Sequence, residues 1–480
     1  ERECLTLVSD ARRGKNMFAL GMLCSIYSLD LQLAREQIAL TFGKKHADVI
    51  KSNVVLLDAG YQWAETNLDF KYSIPGVRSK EPQIVVNGNT ALALGVLASG
   101  MEICAMYPIT PATSASHYLA DIFENVGGVV HQAEDEIAAC SFAIGASYAG
   151  KCAVTITSGP GYSLKQEAIG LAVMGEIPLV VVNVQRGGPS TGQPTKAEQG
   201  DALAAIFGSH GDAPKVVMAA STIEDCFYSI ITARKIAETF NMVVVVLTDA
   251  NLGSSQQPFP RPQFSETWVA PPVDQSAIPA GALPYDWDAT TGLARRFIPG
   301  QPNGMHTLTG LAHDRQSHVA YDPEINEESL HARSLKLAAL QKTLKAPPVF
   351  GSDSGDLLVI GWGSTKGAIE EAVETVRAEG AKVSSMHLRF LQPLPPGIKD
   401  AMQCFKRVMT IESNWCDRPE DEIIDEDNRR YSALALLLRS RYLVDVDCWS
   451  EVRGQPIKPS TICGVIREKL KQKRGKAKKS

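Results

Sequence analysis

Between about residues 82 and 258, apolar segments of strand length alternate with helical patterns. The apolar runs are 84–86, 152–157, 179–184 and 242–248, and the helical patterns are 91–99, 137–149, 164–174 and 222–240. A strand that is apolar at almost every position has no face left for water. It must be covered on both sides, which predicts an α/β fold: a parallel sheet with helices on both faces. In such a sheet, ligands collect where the strands end at their carboxyl side. The loops after those strands are therefore where chemistry is to be sought.

The chain has 480 residues, enough for about three domains. Residues 1–71 read as helical, with a start at Asn16, an apolar run 17–23 and an amphipathic stretch 31–42 ending at Gly43. They contain too few strands to close a core alone and look like the last part of a domain. Residues 72–81, with Pro75 and Gly76, read as a linker. After the informative segment 82–258, residues 259–350 form an extended linker with a helix over 327–346. A linker this long is expected to be functional or wrapped over a neighbour. Another α/β unit covers 351–468, with strands at 356–360, 383–388 and 408–412 and a helix at 366–379. Residues 469–480 form a basic, solvated tail.

Composition excludes several classes. Hydrophobic residues make up 44% and charged residues 21%, as in folded globular proteins and unlike disordered chains. No apolar run is long enough for a membrane span. A net charge of −5 argues against nucleic acid as the partner of the whole molecule. Ten cysteines are scattered without a CxxC pair, which argues against zinc or an iron–sulfur cluster held by this chain alone. Those within apolar segments read as reduced core thiols. No signal peptide is recognised, so the expected compartment is the cytoplasm. The start at Glu1 leaves room for an upstream segment.

Four loops carry candidate chemistry. Tyr107 to Thr113 (YPITPAT) holds Thr110 between two prolines, which restrict the backbone around its hydroxyl. The plain alternative is a strand-to-helix turn capped by Thr113 or Ser114. Glu134 to Ala139 (EDEIAA) opens a helix. Acidic residues suit a helix start, yet Glu136 directly precedes the apolar face and can point into a cleft. Thr155 to Ser163 (TITSGPGYS) is a strand, a glycine-rich turn at Ser158-Gly159 and a helix start, which lets backbone approach a ligand. It is neither a GxGxxG nor a P-loop. Gln185 to Thr195 (QRGGPSTGQPT) places Arg186 at a strand end, suited either to bidentate capture of a carboxylate or to holding a loop.

These four motifs on one sheet edge resemble the alpha subunit of 2-oxoacid:ferredoxin oxidoreductases, closest to the 2-oxoglutarate type with a gamma domain fused ahead of alpha. Residues 386–389 (MHLR), 393–395 (PLP) and 411–414 (IESN) are similar to that family's transketolase-C-like domain, and 15–21 (KNMFALG) to the end of its gamma domain. The resemblance implies a thiamine diphosphate-binding fold in which 82–258 is the pyrimidine-binding domain. It implies that Glu136 meets N1′ of the aminopyrimidine, promoting loss of the thiazolium C2 proton and attack on the 2-oxo carbon. It assigns Thr110, Arg186 and Thr195 to the substrate, and Ser158 and Gly159 with Glu136 to the cofactor. No metal ligand is expected on this chain.

The resemblance further implies that a separate beta subunit supplies the diphosphate site, Mg2+ and a [4Fe–4S] cluster. Ferredoxin would take the electrons, coenzyme A the acyl group, and the assembly would be a dimer of alpha–beta pairs. Pyruvate or a broad range of 2-oxoacids is the alternative substrate. A non-catalytic scaffold and a self-sufficient thiamine enzyme are rivals; the first is disfavoured by the presence of Glu136, Thr110 and Arg186, the second by the missing diphosphate motif. One departure concerns the linker: Ala312 precedes His313 where the family more usually has glutamate, so His313 is expected to be structural.

Overall fold

The computed structural model describes residues 7, 14–43, 47–74, 76 and 79–472. Cys4, Pro75 and the basic residues 473–480 lie outside the described residues. The chain divides into two compact units, Glu1–Pro82 and Gln83–Ser480.

In the first unit the described elements are the helices Lys15–Ile26, Leu31–Phe42 and Ala47–Asn67. The first and third pack backbone to backbone. A Cβ on Gly21 would run into the Leu57 carbonyl, and one on Gly60 into the Phe18 carbonyl. Phe18 and Leu56 fill the contact. The helix does not start on Asn16 as expected. Its cap is Gly14 at φ 100°, a left-handed conformation that glycine adopts without a Cβ clash.

In the second unit, strands β1 (Gln83–Asn87), β2 (Ile103–Met106), β3 (Val129–Gln132), β4 (Ala153–Thr157), β5 (Leu179–Gln185), β6 (Val216–Ala219), β7 (Val243–Asp249) and β8 (Gln256–Pro260) come first. Strands β9 (Val349–Phe350), β10 (Leu357–Trp362), β11 (Val383–Leu388), β12 (Phe390–Gln392), β13 (Val408–Glu412) and β14 (Val446–Ser450) follow. Among the described residues they form a seven-stranded sheet ordered β12-β6-β7-β5-β4-β2-β3 and a five-stranded sheet ordered β14-β13-β10-β11-β9, with β1-β8 as a separate pair. Both large sheets are parallel except for the edge strands β12 and β9.

The apolar patterning accounts for the first sheet. Val180, Val182 and Val184 of β5 enter one core, while Leu179 and Val181 enter the opposite one. In β7, Val244 and Val246 face the first core and Val243, Val245 and Leu247 the second. Each such side chain contributes about 1.5–3 kcal/mol when fully buried. The second core also takes Leu358, Ile360, Trp362, Met386 and Leu388, so the two large sheets share it.

Several expectations need correction. The run 84–86 is not in the parallel sheet; β1 pairs antiparallel with β8, and Val85 is exposed. Strand β12, within the expected α/β unit 351–468, pairs with β6 of the other large sheet through Phe390↔Met218. The last helix, Pro459–Lys471, runs past residue 468, and Lys469 pairs with Asp447 rather than lying in a solvated tail. Parts of the long linker also pack on elements of this chain that precede it. Trp268 packs edge-on against Phe227 and Tyr228, Trp287 Nε1 donates to Glu176 at 2.8 Å, and Arg296 donates to the Ser147 carbonyl. His313 is buried against Tyr285, with Nδ1 3.0 Å from the Leu311 carbonyl, in keeping with a structural residue. No described helix is long and apolar enough to cross a membrane.

Candidate active site

Glu136 sits where β3 hands over to the helix Glu136–Tyr148. Asp135 caps that helix, its Oδ1 accepting from Ala138 N at 2.8 Å, so Glu136 occupies the first turn and is 7% exposed. Under it lies Lys165, which the sequence reading did not single out. Its Nζ donates to the Glu136 carbonyl at 2.9 Å and to Thr155 Oγ1 at 3.1 Å, and the side chain is fully buried. Burial pushes the Lys165 ammonium below its ordinary pKa, against the attraction of nearby acidic groups. In the sequence it stands in the polar run Lys165-Gln166-Glu167, which reads as the solvated start of a helix.

The Glu136 carboxylate faces the glycine-rich turn. A Cβ on Gly161 would collide with Thr157 Oγ1 and stand 2.7 Å from Glu136 Cγ and 2.8 Å from its Oε1. Among the described residues no donor hydrogen-bonds this carboxylate. One turn earlier, Ser158 Oγ is buried without a partner and makes no capping bond. Gly159 is equally constrained, since a Cβ there would stand 2.8 Å from Asp201 Oδ2. Asp201 is held by Asn183 Nδ2 at 2.9 Å, and its backbone N–H donates to Gln185 Oε1 at 3.0 Å. Burial raises the Asp201 pKa above the usual carboxylate range. Asp201 escaped sequence reading because an acid before a short apolar helix resembles a simple cap.

Arg186, at the end of β5, is 7% exposed. Its Nη1 donates to the Thr110 carbonyl at 2.7 Å and its Nη2 to the Thr191 carbonyl at 3.1 Å, while Nε is buried without a partner. The guanidinium thus ties two of the predicted loops together, the second of the two roles its position suggested. Thr110 is brought to Arg186 through its backbone, and its side chain is exposed. Neither Thr113 nor Ser114 caps the helix Thr113–Ile122, whose preceding residue Ala112 is already helical; Ser114 Oγ instead accepts from Asn89 Nδ2 at 2.7 Å. Thr195 lies exposed on the loop closed by Gly187 N donating to Lys196 O at 3.0 Å and Gln193 N donating to Gly187 O at 2.8 Å.

An aminopyrimidine fits this edge. It needs a carboxyl at one ring nitrogen and a hydrogen-bonding partner beside it, and the Glu136 carboxylate and the unpartnered Ser158 hydroxyl supply these, while Gly159 and Gly161 leave room for Asp201 and Glu136 to pack against the turn. Among the described residues no group of three or more His, Cys, Asp or Glu is placed to hold a metal ion.

The comparisons with known proteins agree with that geometry. The family described as pyruvate flavodoxin/ferredoxin oxidoreductase, thiamine diphosphate-binding, matches residues 94–328. The 2-oxoglutarate oxidoreductase subunit KorA of Mycobacterium tuberculosis is 37% identical over 476 residues, covering 96% of this chain and 69% of that protein. Subunit alpha of the Aeropyrum pernix 2-oxoacid:ferredoxin oxidoreductase 1 is 32% identical, covering 85% and 65%. The structure of 2-oxoglutarate:ferredoxin oxidoreductase from Magnetococcus marinus, with 2-oxoglutarate, coenzyme A and succinyl-CoA bound, superimposes with a TM-score of 0.87 at 33% identity, covering 95% of this chain and 77% of that one. With relatives of this kind matched along nearly the whole chain, this protein belongs to the family of 2-oxoacid:ferredoxin oxidoreductase alpha subunits.

Proposed function

We propose that this chain is the alpha subunit of a coenzyme A-acylating 2-oxoglutarate:ferredoxin oxidoreductase, active only with a beta subunit. The observation that carries this reading is the buried Glu136 carboxylate, which no described donor occupies and which faces the bare Gly161. When bound, thiamine diphosphate supplies the carbon nucleophile and holds the electrons released as carbon dioxide leaves. Glu136 holds and moves a proton at N1′ of the aminopyrimidine. Gly161 lets the Glu136 side chain pack against the turn, and the Ser158 hydroxyl is available to the ring. Lys165 fixes the carbonyl of Glu136 and so the start of the helix that aims the carboxyl.

Arg186 spends one hydrogen of each terminal nitrogen on the Thr110 and Thr191 carbonyls and keeps the others for an anionic substrate. Sharing the guanidinium in this way avoids clamping the departing carboxylate, which would stabilise the ground state and slow its loss. The Thr110 and Thr195 hydroxyls complete the substrate side. The beta subunit provides the diphosphate site with Mg2+ and a [4Fe–4S] cluster, ferredoxin takes the electrons and the complex is a dimer of alpha–beta pairs. The choice of 2-oxoglutarate is supported by the name of the Mycobacterium tuberculosis relative and the ligands of the Magnetococcus marinus structure. The name of the Aeropyrum pernix relative favours a broader 2-oxoacid range as the second reading.

The test is anaerobic viologen reduction by this chain with its beta subunit, thiamine diphosphate, Mg2+ and coenzyme A. Coenzyme A-dependent reduction preferring 2-oxoglutarate is expected. Preference for pyruvate replaces the substrate and keeps the chemistry. No reduction by a complex shown to hold thiamine and iron rejects the proposal.

A further inference from the structure

The two large sheets are joined near their carboxyl ends, and Gln199 is wedged into the join. In the five-stranded sheet β10 has β11 on one side and β13 on the other, so the chain changes direction between β10 and β13. The crevice at the carboxyl ends of such a pair is where an open parallel sheet takes a ligand. Here Gln199, 1% exposed, fills it from within the molecule. Its Nε2 donates to the carbonyl of Trp362, the last residue of β10, at 2.8 Å, and its Oε1 accepts from the backbone N of Ser413, the residue after β13, at 2.9 Å. The backbone N of Gln199 donates to the Ser413 carbonyl at 2.8 Å. Gly363, at φ 60°, leaves the space, since a Cβ there would stand 2.5 Å from Gln199 Nε2. Nearby, Ser364 donates to Asp249, which ends β7 and pairs in register with Gln185.

Gln199 also lies opposite Arg186 in the loop that both belong to. Gln185 Oε1 accepts from Asp201 N at 3.0 Å, Gly187 N donates to Lys196 O at 3.0 Å and Gly188 N donates to Glu198 Oε2 at 3.2 Å. The residues on either side of Arg186 are thus tied to the residues on either side of Gln199. We propose that Gln199 is a positioning residue for Arg186, and that the crevice between β10 and β13 is the fixed point from which the guanidinium is aimed. This role rests on the reading above, in which Arg186 meets an anionic 2-oxoacid.

An amide suits the crevice because it faces one acceptor and one donor at once. An apolar side chain in its place would leave the Ser413 N–H without that partner. The Trp362 carbonyl would lose less, because Thr365 Oγ1 also donates to it at 2.8 Å. With the crevice released, Lys196, Glu198 and Asp201 lose their fixed point. Arg186 then keeps its direction only through its own bonds to the Thr110 and Thr191 carbonyls.

The experiment compares wild type, Gln199→Met, Arg186→Met and the double variant, each in complex with the beta subunit and checked for fold by circular dichroism. Gln199→Met keeps the side-chain length and the backbone bond. It is expected to raise KM for the 2-oxoacid about tenfold with kcat within about twofold, since an interaction lost equally from bound substrate and transition state appears in KM. In the Arg186→Met background the same substitution should move KM by less than about twofold, because the two residues act as one unit. Hydrogen exchange of the full chain should speed up at the amides of Gly187, Gly188 and Gln193 and stay unchanged in β10 and β13. If Gln199→Met does not fold, Gln199→Glu, which keeps the acceptor for Ser413 N, is expected to show the same changes at smaller size. An unchanged KM, an equal rise in both backgrounds, or a fall in kcat alone overturns the proposal and leaves Gln199 as ordinary packing between the sheets. If the wild-type complex turns over no 2-oxoacid, the function proposed above fails, and exchange then decides alone: faster loop exchange upholds the fixed point, and unchanged exchange overturns it.

Discussion

Glu136 and Glu412 are both buried glutamates beside parallel sheets, and they are treated in opposite ways. Glu412, at the end of β13, is fully buried and saturated. It accepts from Trp362 Nε1 at 3.0 Å, Asn414 Nδ2 at 2.8 Å, Leu434 N at 2.9 Å, Ala435 N at 3.3 Å and the Ser432 hydroxyl. Those donors pin the start of the helix Ala433–Tyr442 to the sheet. Glu136 has no such donors, and only its backbone carbonyl is held. A buried carboxylate with every lone pair taken is part of the scaffold, whereas one left bare before glycines is available to a ligand. Burial alone does not separate the two.

Substitutions at the two glutamates should therefore fail differently. Glu136→Gln is expected to lower viologen reduction by the assembled complex about 10²–10⁴-fold while circular dichroism and assembly stay unchanged; turnover near wild type would sink the thiamine assignment. Glu412→Gln should instead lower unfolding stability by about 1.5–3 kcal/mol, through lost charge-assisted bonds. Its turnover per folded molecule should be preserved, as measured by urea denaturation beside the assay. If that variant were stable and inactive, the contrast would be wrong.

Gly161→Ala probes the bare side of Glu136. The added methyl has nowhere to go between Thr157 Oγ1 and the Glu136 side chain, so about 1–3 kcal/mol of stability should be lost, together with thiamine binding measured by calorimetry. Binding at wild-type affinity would show that the cofactor does not depend on how Glu136 packs against Gly161. A separate effect is expected at Lys215, a buried cation that serves neither carboxylate and donates to the Gly208 and Ala213 carbonyls at 2.8 and 3.0 Å. Burial brings it down to about 8 from an ordinary 10.5. Between those values the unfolded chain binds more protons than the folded one, so stability should rise with pH across that window. Lys215→Met should flatten the rise, and urea midpoints at pH 8 and 10.5 would reveal an unchanged slope if the reading is wrong.

The central strands were readable because both of their faces are buried: β4, β5 and β7 came out within a residue or two of their ends. Strands β2, β3, β6 and β14 were missed. They are four or five residues long, and β3 and β14 are partly exposed, so their patterns merge with loops. The run 84–86 reads as a central strand by composition, although among the described residues β8 is its only partner. In the site, loops rich in Gly, Pro and Thr were conspicuous as local patterns. Lys165 and Asp201 were not, since each matters through partners far away in sequence.

By itself the sequence determined the alternation that demands a doubly covered parallel sheet, the glycines without which the turn at 158–161 could not close, and the placing of Glu136 at a helix start. These depend on neighbours within a few residues. Only the tertiary structure decided that β12 crosses to the first sheet, that Arg186 joins the Thr110 and Thr191 loops, and that Glu412 is saturated while Glu136 is bare. Each of those depends at least in part on donors and acceptors that meet across tens or hundreds of residues. Hydrophobic patterning brings such groups close, but the geometry of the packed core selects the pairs.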